Sequence, residues 1–72
     1  MPLIRVSMFP GRTEEQKRSL VEEMTETFLR TCGGNRDGVW IVIEEVRQEH
    51  WSVGGRLSSD PKPESRPAPK ED

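Results

Sequence analysis

Apolar and polar side chains alternate from Leu3 to Phe9, with Ile4, Val6 and Met8 on one face and Leu3, Arg5, Ser7 and Phe9 on the other. That period of two predicts a strand, and Pro10-Gly11 stops it. Thr13-Glu14-Glu15-Gln16 then reads as a capping box, with Thr13 at the N-cap and Gln16 reaching back to it. The helix that starts there keeps Leu20, Val21, Met24, Phe28, Leu29 and Cys32 on one stripe, and turns Lys17, Arg18, Glu22, Glu23 and Glu26 to solvent. Gly33-Gly34 ends it. A second strand, Val39–Val46, is apolar on both faces as far as Ile43, the pattern of a strand covered from both sides. Glu44 and Glu45, as neighbours on a strand, point to opposite faces and cannot share a site.

A helix of about 20 residues between two strands makes a crossover, so the strands are expected to be parallel and the connection right-handed. His50-Trp51-Ser52-Val53-Gly54-Gly55 adds a short C-terminal hairpin. The expected fold class is α/β (α+β): a β-α-β unit with parallel strands and a C-terminal hairpin, assembled as an oligomer. Assembly follows because one such unit leaves two strand edges and a sheet face uncovered. The doubly apolar Val39–Ile43 and the face of Ile4, Val6 and Met8 are the expected contact surfaces.

Length sharpens this expectation. A chain of 72 residues allows one small domain. Below about 70–80 residues a single core rarely contributes more than a few kcal/mol, so a staple or an oligomer is usual. Cys32 is the only cysteine and His50 the only histidine, which leaves neither a disulfide nor a Cys/His metal cage. Residues 58–72 hold four of the six prolines and, in Ala68, one hydrophobic residue. They are expected to form a disordered tail behind a domain of residues 1–57.

The formal net charge of −2 offers no electrostatic footprint for nucleic acid. The longest apolar run, Val39 to Ile43, is far too short for a membrane span, and the N-terminus lacks the apolar region of a signal peptide. Neither nucleic acid nor membrane is therefore an expected partner, and a single cysteine fits a reducing, cytoplasmic setting.

Generic catalytic motifs are sparse. Position two is the exception: Met1-Pro2 favours removal of the initiator methionine, which would leave Pro2 with a free secondary amine. An α-amino group titrates near pH 8 even unperturbed, and desolvation or nearby arginines lower it toward the range of a general base. The run Met1-Pro2-Leu3-Ile4, then Gly11-Arg12-Thr13 with Glu15-Gln16-Lys17, then His50-Trp51-Ser52-Val53-Gly54-Gly55, resembles the 4-oxalocrotonate tautomerase family over residues 2–57. The resemblance implies a homohexamer built as a trimer of dimers, with each site made by more than one subunit. It implies an isomerase without a cofactor, which moves a proton within a small unsaturated 2-hydroxy or 2-oxo acid such as 2-hydroxymuconate.

By position, Pro2 matches the family's catalytic proline, and Arg12 the arginine that binds a substrate carboxylate and polarises the conjugated system. A guanidinium suits that role because it grips a carboxylate bidentately and keeps its charge. Trp51 stands where the family has an aromatic wall, and Phe9 where an aliphatic residue lines the pocket. One position departs: the family's second arginine falls at Trp40, which has one N–H donor and no charge. Arg36, Arg5 and Arg47 are the candidates to fill that gap, Arg36 first. Two other readings compete: a hydratase- or dehalogenase-type lyase of the same superfamily, and a non-catalytic oligomeric module. The dehalogenases pair two arginines near the first turn, and Phe9 here replaces one of them.

Overall fold

A computed structural model describes residues 1–61. Strand β1 (Leu3–Met8) leads through the Pro10-Gly11 turn into helix α1 (Glu14–Cys32), which returns the chain to strand β2 (Trp40–Glu45). A hairpin of β3 (Ser52–Val53) and β4 (Arg56–Leu57) follows. Single 3-10 turns, Arg36–Gly38 and Gln48–His50, flank β2. β1 and β2 pair in parallel, from Leu3 opposite Trp40 to Met8 opposite Glu45. The β-α-β unit with its antiparallel C-terminal hairpin is the expected architecture. No helix is long and apolar enough to cross a membrane among the described residues.

Local chemistry accounts for each boundary. The capping box is complete: the Gln16 amide donates to Thr13 Oγ1 at 3.0 Å, and the Thr13 amide donates to Gln16 Oε1 at 2.9 Å. Gly33 closes the helix at φ 82°, with its N–H donating to the Leu29 carbonyl at 3.0 Å. The two-residue hairpin loop puts Gly54 and Gly55 at φ 63° and 84°, the double positive φ that a tight hairpin turn needs.

Ile4, Val6 and Met8 are half-buried on the helix side, where Ile4 shares a groove with Leu20, Met24 and Phe28. This corrects the expectation that they form a contact surface between copies. The open face carries Leu3, Arg5 and Ser7 of β1 beside Trp40, Val42 and Glu44 of β2. Leu3, Trp40 and Val42 are 50%, 53% and 40% exposed there. Glu44 on this face accepts from Arg5 at 3.0 Å and Ser7 at 3.1 Å, while Glu45 on the other pairs with Lys17 of α1 at 2.6 Å. The adjacent glutamates therefore do point apart. Cys32 departs from the apolar stripe and is exposed. A 19-residue helix runs about 28 Å and a six-residue strand about 20 Å, so the last helical turn overhangs the sheet.

Hydrogen bonding runs past the hairpin: the Ser58 amide donates to the Trp51 carbonyl at 2.7 Å, and Arg56 to that of Pro61 at 3.0 Å. The rest of the expected tail, residues 62–72, lies outside the described residues.

Among the described residues none is buried, apolar or polar. A helix on one face of a two-stranded sheet cannot close a core, and each large apolar side chain fully withdrawn from water contributes about 1.5–3 kcal/mol. The open face should therefore stabilise the fold only when a second copy covers it. The unfolding midpoint is expected to rise with protein concentration, and Val42→Asp to yield a smaller and less stable species by light scattering and thermal denaturation. A folded wild-type monomer at micromolar concentration, with a midpoint independent of concentration, would contradict this.

Candidate active site

The parallel register sorts the candidate residues into two groups at opposite ends of the sheet. At its start, the Pro2 carbonyl accepts from the Trp40 amide at 3.0 Å, one step before the Leu3–Trp40 pair. Pro2 is thereby half-buried and fixed beside Trp40, whose indole lies on the open face. Arg36 sits in the 3-10 turn at the same end, but its guanidinium is turned to Glu26 of α1 at 2.5 Å. Of the other two cations considered beside Trp40, Arg5 is held by Glu44 on the open face, and Arg47 pairs with Glu49 at 3.2 Å.

At the far end, Phe9 and Trp51 meet edge to face, with centroids 4.9 Å apart and rings inclined at 62°. Both are half-buried. The Trp51 backbone is fixed on two sides, by its own N–H to the Gln48 carbonyl at 3.2 Å and by Ser58 at its carbonyl. Arg12 immediately precedes the N-cap Thr13. Three constraints hold that turn: the capping box, the Val46 amide donating to the Met8 carbonyl at 2.8 Å, and the Lys17–Glu45 pair. Arg12 itself is exposed and makes no hydrogen bond or ion pair with the described residues. Its fork of donors is free for an anion.

Pro2 and Phe9 are separated by the length of β1, roughly 20 Å at the rise of an extended strand. One protomer thus brings Pro2 to Trp40, and Phe9 to Trp51 beside the Arg12 turn, but does not bring the two groups together. Within one protomer Pro2 and Arg12 therefore cannot face the same small molecule. Reading the sequence alone missed the groove beside Pro2 lined by Phe28, Gly33, Gly34, Gly38 and Val39. Its one signal was the density of glycine between α1 and β2. Among the described residues no group of three or more His, Cys, Asp or Glu side chains is placed to hold a metal ion.

The protomer is thus a short β-α-β unit with an open sheet face, a proline just before β1 and, after the turn, an arginine unpaired among the described residues. The chain belongs to the tautomerase family: the family model described as tautomerase enzyme matches residues 2–60. It is 45% identical over 60 residues to the 2-hydroxymuconate tautomerase of Bacillus subtilis, covering 83% of this chain and 97% of that protein. Among solved structures it is similar to YwhB, a homologue of 4-oxalocrotonate tautomerase, with a TM-score of 0.80 and 43% identity over 85% of this chain and 100% of that one. A 4-oxalocrotonate tautomerase isozyme from Methylibium petroleiphilum superposes with a TM-score of 0.77 and 41% identity, over 81% and 91% of the two chains. Family membership supports tautomerase activity, an isomerase chemistry.

The Phe9–Trp51 pair generates a prediction of its own. Edge-to-face pairs contribute about 0.5–1.5 kcal/mol beyond their buried area. Phe9→Ala should cost at least that much in unfolding free energy and let water reach Trp51. In a Trp40→Phe background Trp51 is the only tryptophan, and its emission should shift to the red. Unchanged emission would show that Phe9 does not hold the indole.

Proposed function

We propose that this chain is a cofactor-independent tautomerase acting on a 2-hydroxydienoate or related 2-oxo acid of the 2-hydroxymuconate type, with the amine of Pro2 as general base and acid. The amine takes the hydroxyl proton of the dienol, the O–H bond breaks, and the oxygen becomes a carbonyl. The electron pair moves along the conjugated chain, and the same amine returns the proton to a carbon further on, so reactant and product are isomers. Arg12 binds a carboxylate and draws electron density toward it. Trp51, braced by Phe9, excludes water and strengthens each charge contact in the pocket. Trp40 forms the neutral flank beside the base.

The observation that supports this reading best is the unpaired Arg12 at one end of a sheet whose other end carries Pro2. Their separation supports a composite site and, with it, the homohexameric trimer of dimers that the resemblance implies. Two copies placed antiparallel bring the Pro2 end of one against the Arg12 end of the other. The open face of Leu3, Trp40 and Val42 supplies apolar surface for such contacts.

The decisive experiment blocks the amine. Retaining Met1 makes the Pro2 nitrogen a tertiary amide, and either that or acylation should abolish turnover, whereas Pro2→Ala leaves a weaker primary amine. The neutral amine is the base, so kcat/KM should fall as pH drops through its pKa, along a limb below the reference value of about 8. Full activity in an N-blocked protein would sink the mechanism.

Trp40 sets the expected substrate range. Losing a charged hydrogen-bond partner costs about 1.5–3 kcal/mol, or one to two powers of ten. Arg12→Ala should therefore lower kcat/KM by that much on 2-hydroxymuconate and on phenylenolpyruvate alike. Trp40→Arg should raise turnover of the diacid. No gain with Trp40→Arg, together with fast diacid turnover by the wild type, would assign the second carboxylate to another cation.

A further inference from the structure

The groove beside Pro2 opens between the start of β1, the overhanging end of α1 and the turn into β2. Its walls are Pro2, Phe28, Gly33, Gly34, Gly38 and Val39. Met1, the residue bonded to the Pro2 nitrogen, lines the same groove. The groove therefore adjoins both residues of the bond whose cleavage would free the Pro2 amine.

Three features fix what such a groove accepts. Gly33, Gly34 and Gly38 leave it wide, because a Cβ built on any of them meets no atom within 4 Å. Phe28 and Val39 give it apolar walls. The carbonyls of the last turn of α1 have no partners within the helix, and the negative end of the helix dipole lies there. That potential disfavours a carboxylate. Neither Arg30 of that last turn nor Arg36 of the adjoining turn lines the groove, and Arg36 is held by Glu26.

We infer that this groove receives the uncharged, apolar end of the substrate, the end remote from the carboxylate held by Arg12. The inference rests on Pro2 acting as the base. The substrate class it selects is 2-hydroxy or 2-oxo monoacids with an aromatic or branched apolar terminus. The carboxylate and the reacting enol lie between the clamp and the amine, and the terminus extends past Pro2 toward Phe28.

Gly38 is the position to fill, since its φ lies outside the left-handed region and an added side chain meets open space. The full chain with Met1 removed is assayed with phenylenolpyruvate and with the shorter 2-hydroxypenta-2,4-dienoate. The readout is the ratio of the two kcat/KM values in the wild type and in Gly38→Ala, Gly38→Val and Gly38→Leu. The ratio should fall stepwise with side-chain volume, by tenfold or more for Leu, mainly through KM for the aromatic acid. Circular dichroism and unfolding midpoints identify any variant that fails to fold, and the Ala and Val variants carry the trend if Leu does not. A ratio that stays constant through the series overturns the groove assignment and leaves Pro2 chemistry standing. Turnover that persists with the Pro2 amine blocked overturns both.

Discussion

The parallel pairing of β1 with β2 is the constraint on which the rest of this molecule depends. Because both strands start at the same end, Pro2 and Trp40 are neighbours there, and both strands finish where Phe9, Trp51 and the Arg12 turn gather. Six ladder pairs make the separation roughly 20 Å. The crossover that permits parallel strands also places the single helix on one face, so Leu3, Trp40 and Val42 stay open on the other. The protomer is thus incomplete in its core and, under the proposed function, in its site as well. In the proposed assembly both deficits have one remedy, a second copy whose opposite end would lie against the Pro2 end. A chain of this length has little surface to spare for keeping the two tasks apart.

The elements were legible because local and periodic signals agreed. The capping box at Thr13 and Gln16, the Gly33 stop and the Gly54-Gly55 turn each rest on contacts within a few residues, and each forms as read. Sequence also separated Glu44 from Glu45, since period two is a geometric certainty within a strand. It did not decide which face of β1 meets the helix. Ile4, Val6 and Met8 are more apolar than Leu3, Arg5 and Ser7, so either the helix or another subunit could claim them. The helix does, and the mixed face stays open. Cys32 fails as a stripe residue for a reason of length rather than pattern, because the helix outruns the strands.

The candidate site was legible in its members but not in its distances. Pro2, Arg12 and Trp51 stand out by residue type and spacing, yet spacing says nothing about a 20 Å separation that parallel pairing imposes. The partnerships of the arginines were likewise hidden. Arg36, Arg5 and Arg47 were all candidates to stand in beside Trp40, Arg36 first, and each has an acidic partner within the protomer. Arg12 alone of these four keeps its donors free among the described residues. Exposed pairs of this kind contribute little to stability, but they still set which cation costs least to recruit.

These partnerships make the surroundings of Pro2 electrically lopsided. One side is the neutral indole of Trp40, and the other is the glycine-lined groove at the negative end of α1, whose lining includes no lysine or arginine. Arg12 lies at the opposite end of the sheet and so, in the proposed composite site, would come from another subunit. A conjugated acid bound across that boundary would have its carboxylate in the cationic half and its remainder in the apolar half. In the proposed reaction the guanidinium would hold the carboxylate, and the amine would carry the proton from the enol oxygen to a carbon on the apolar side. A neutral residue at position 40 therefore need not signal lost chemistry. In the proposed site it would move the recognition of the substrate's far end from charge to shape, and leave one guanidinium to hold the carboxylate.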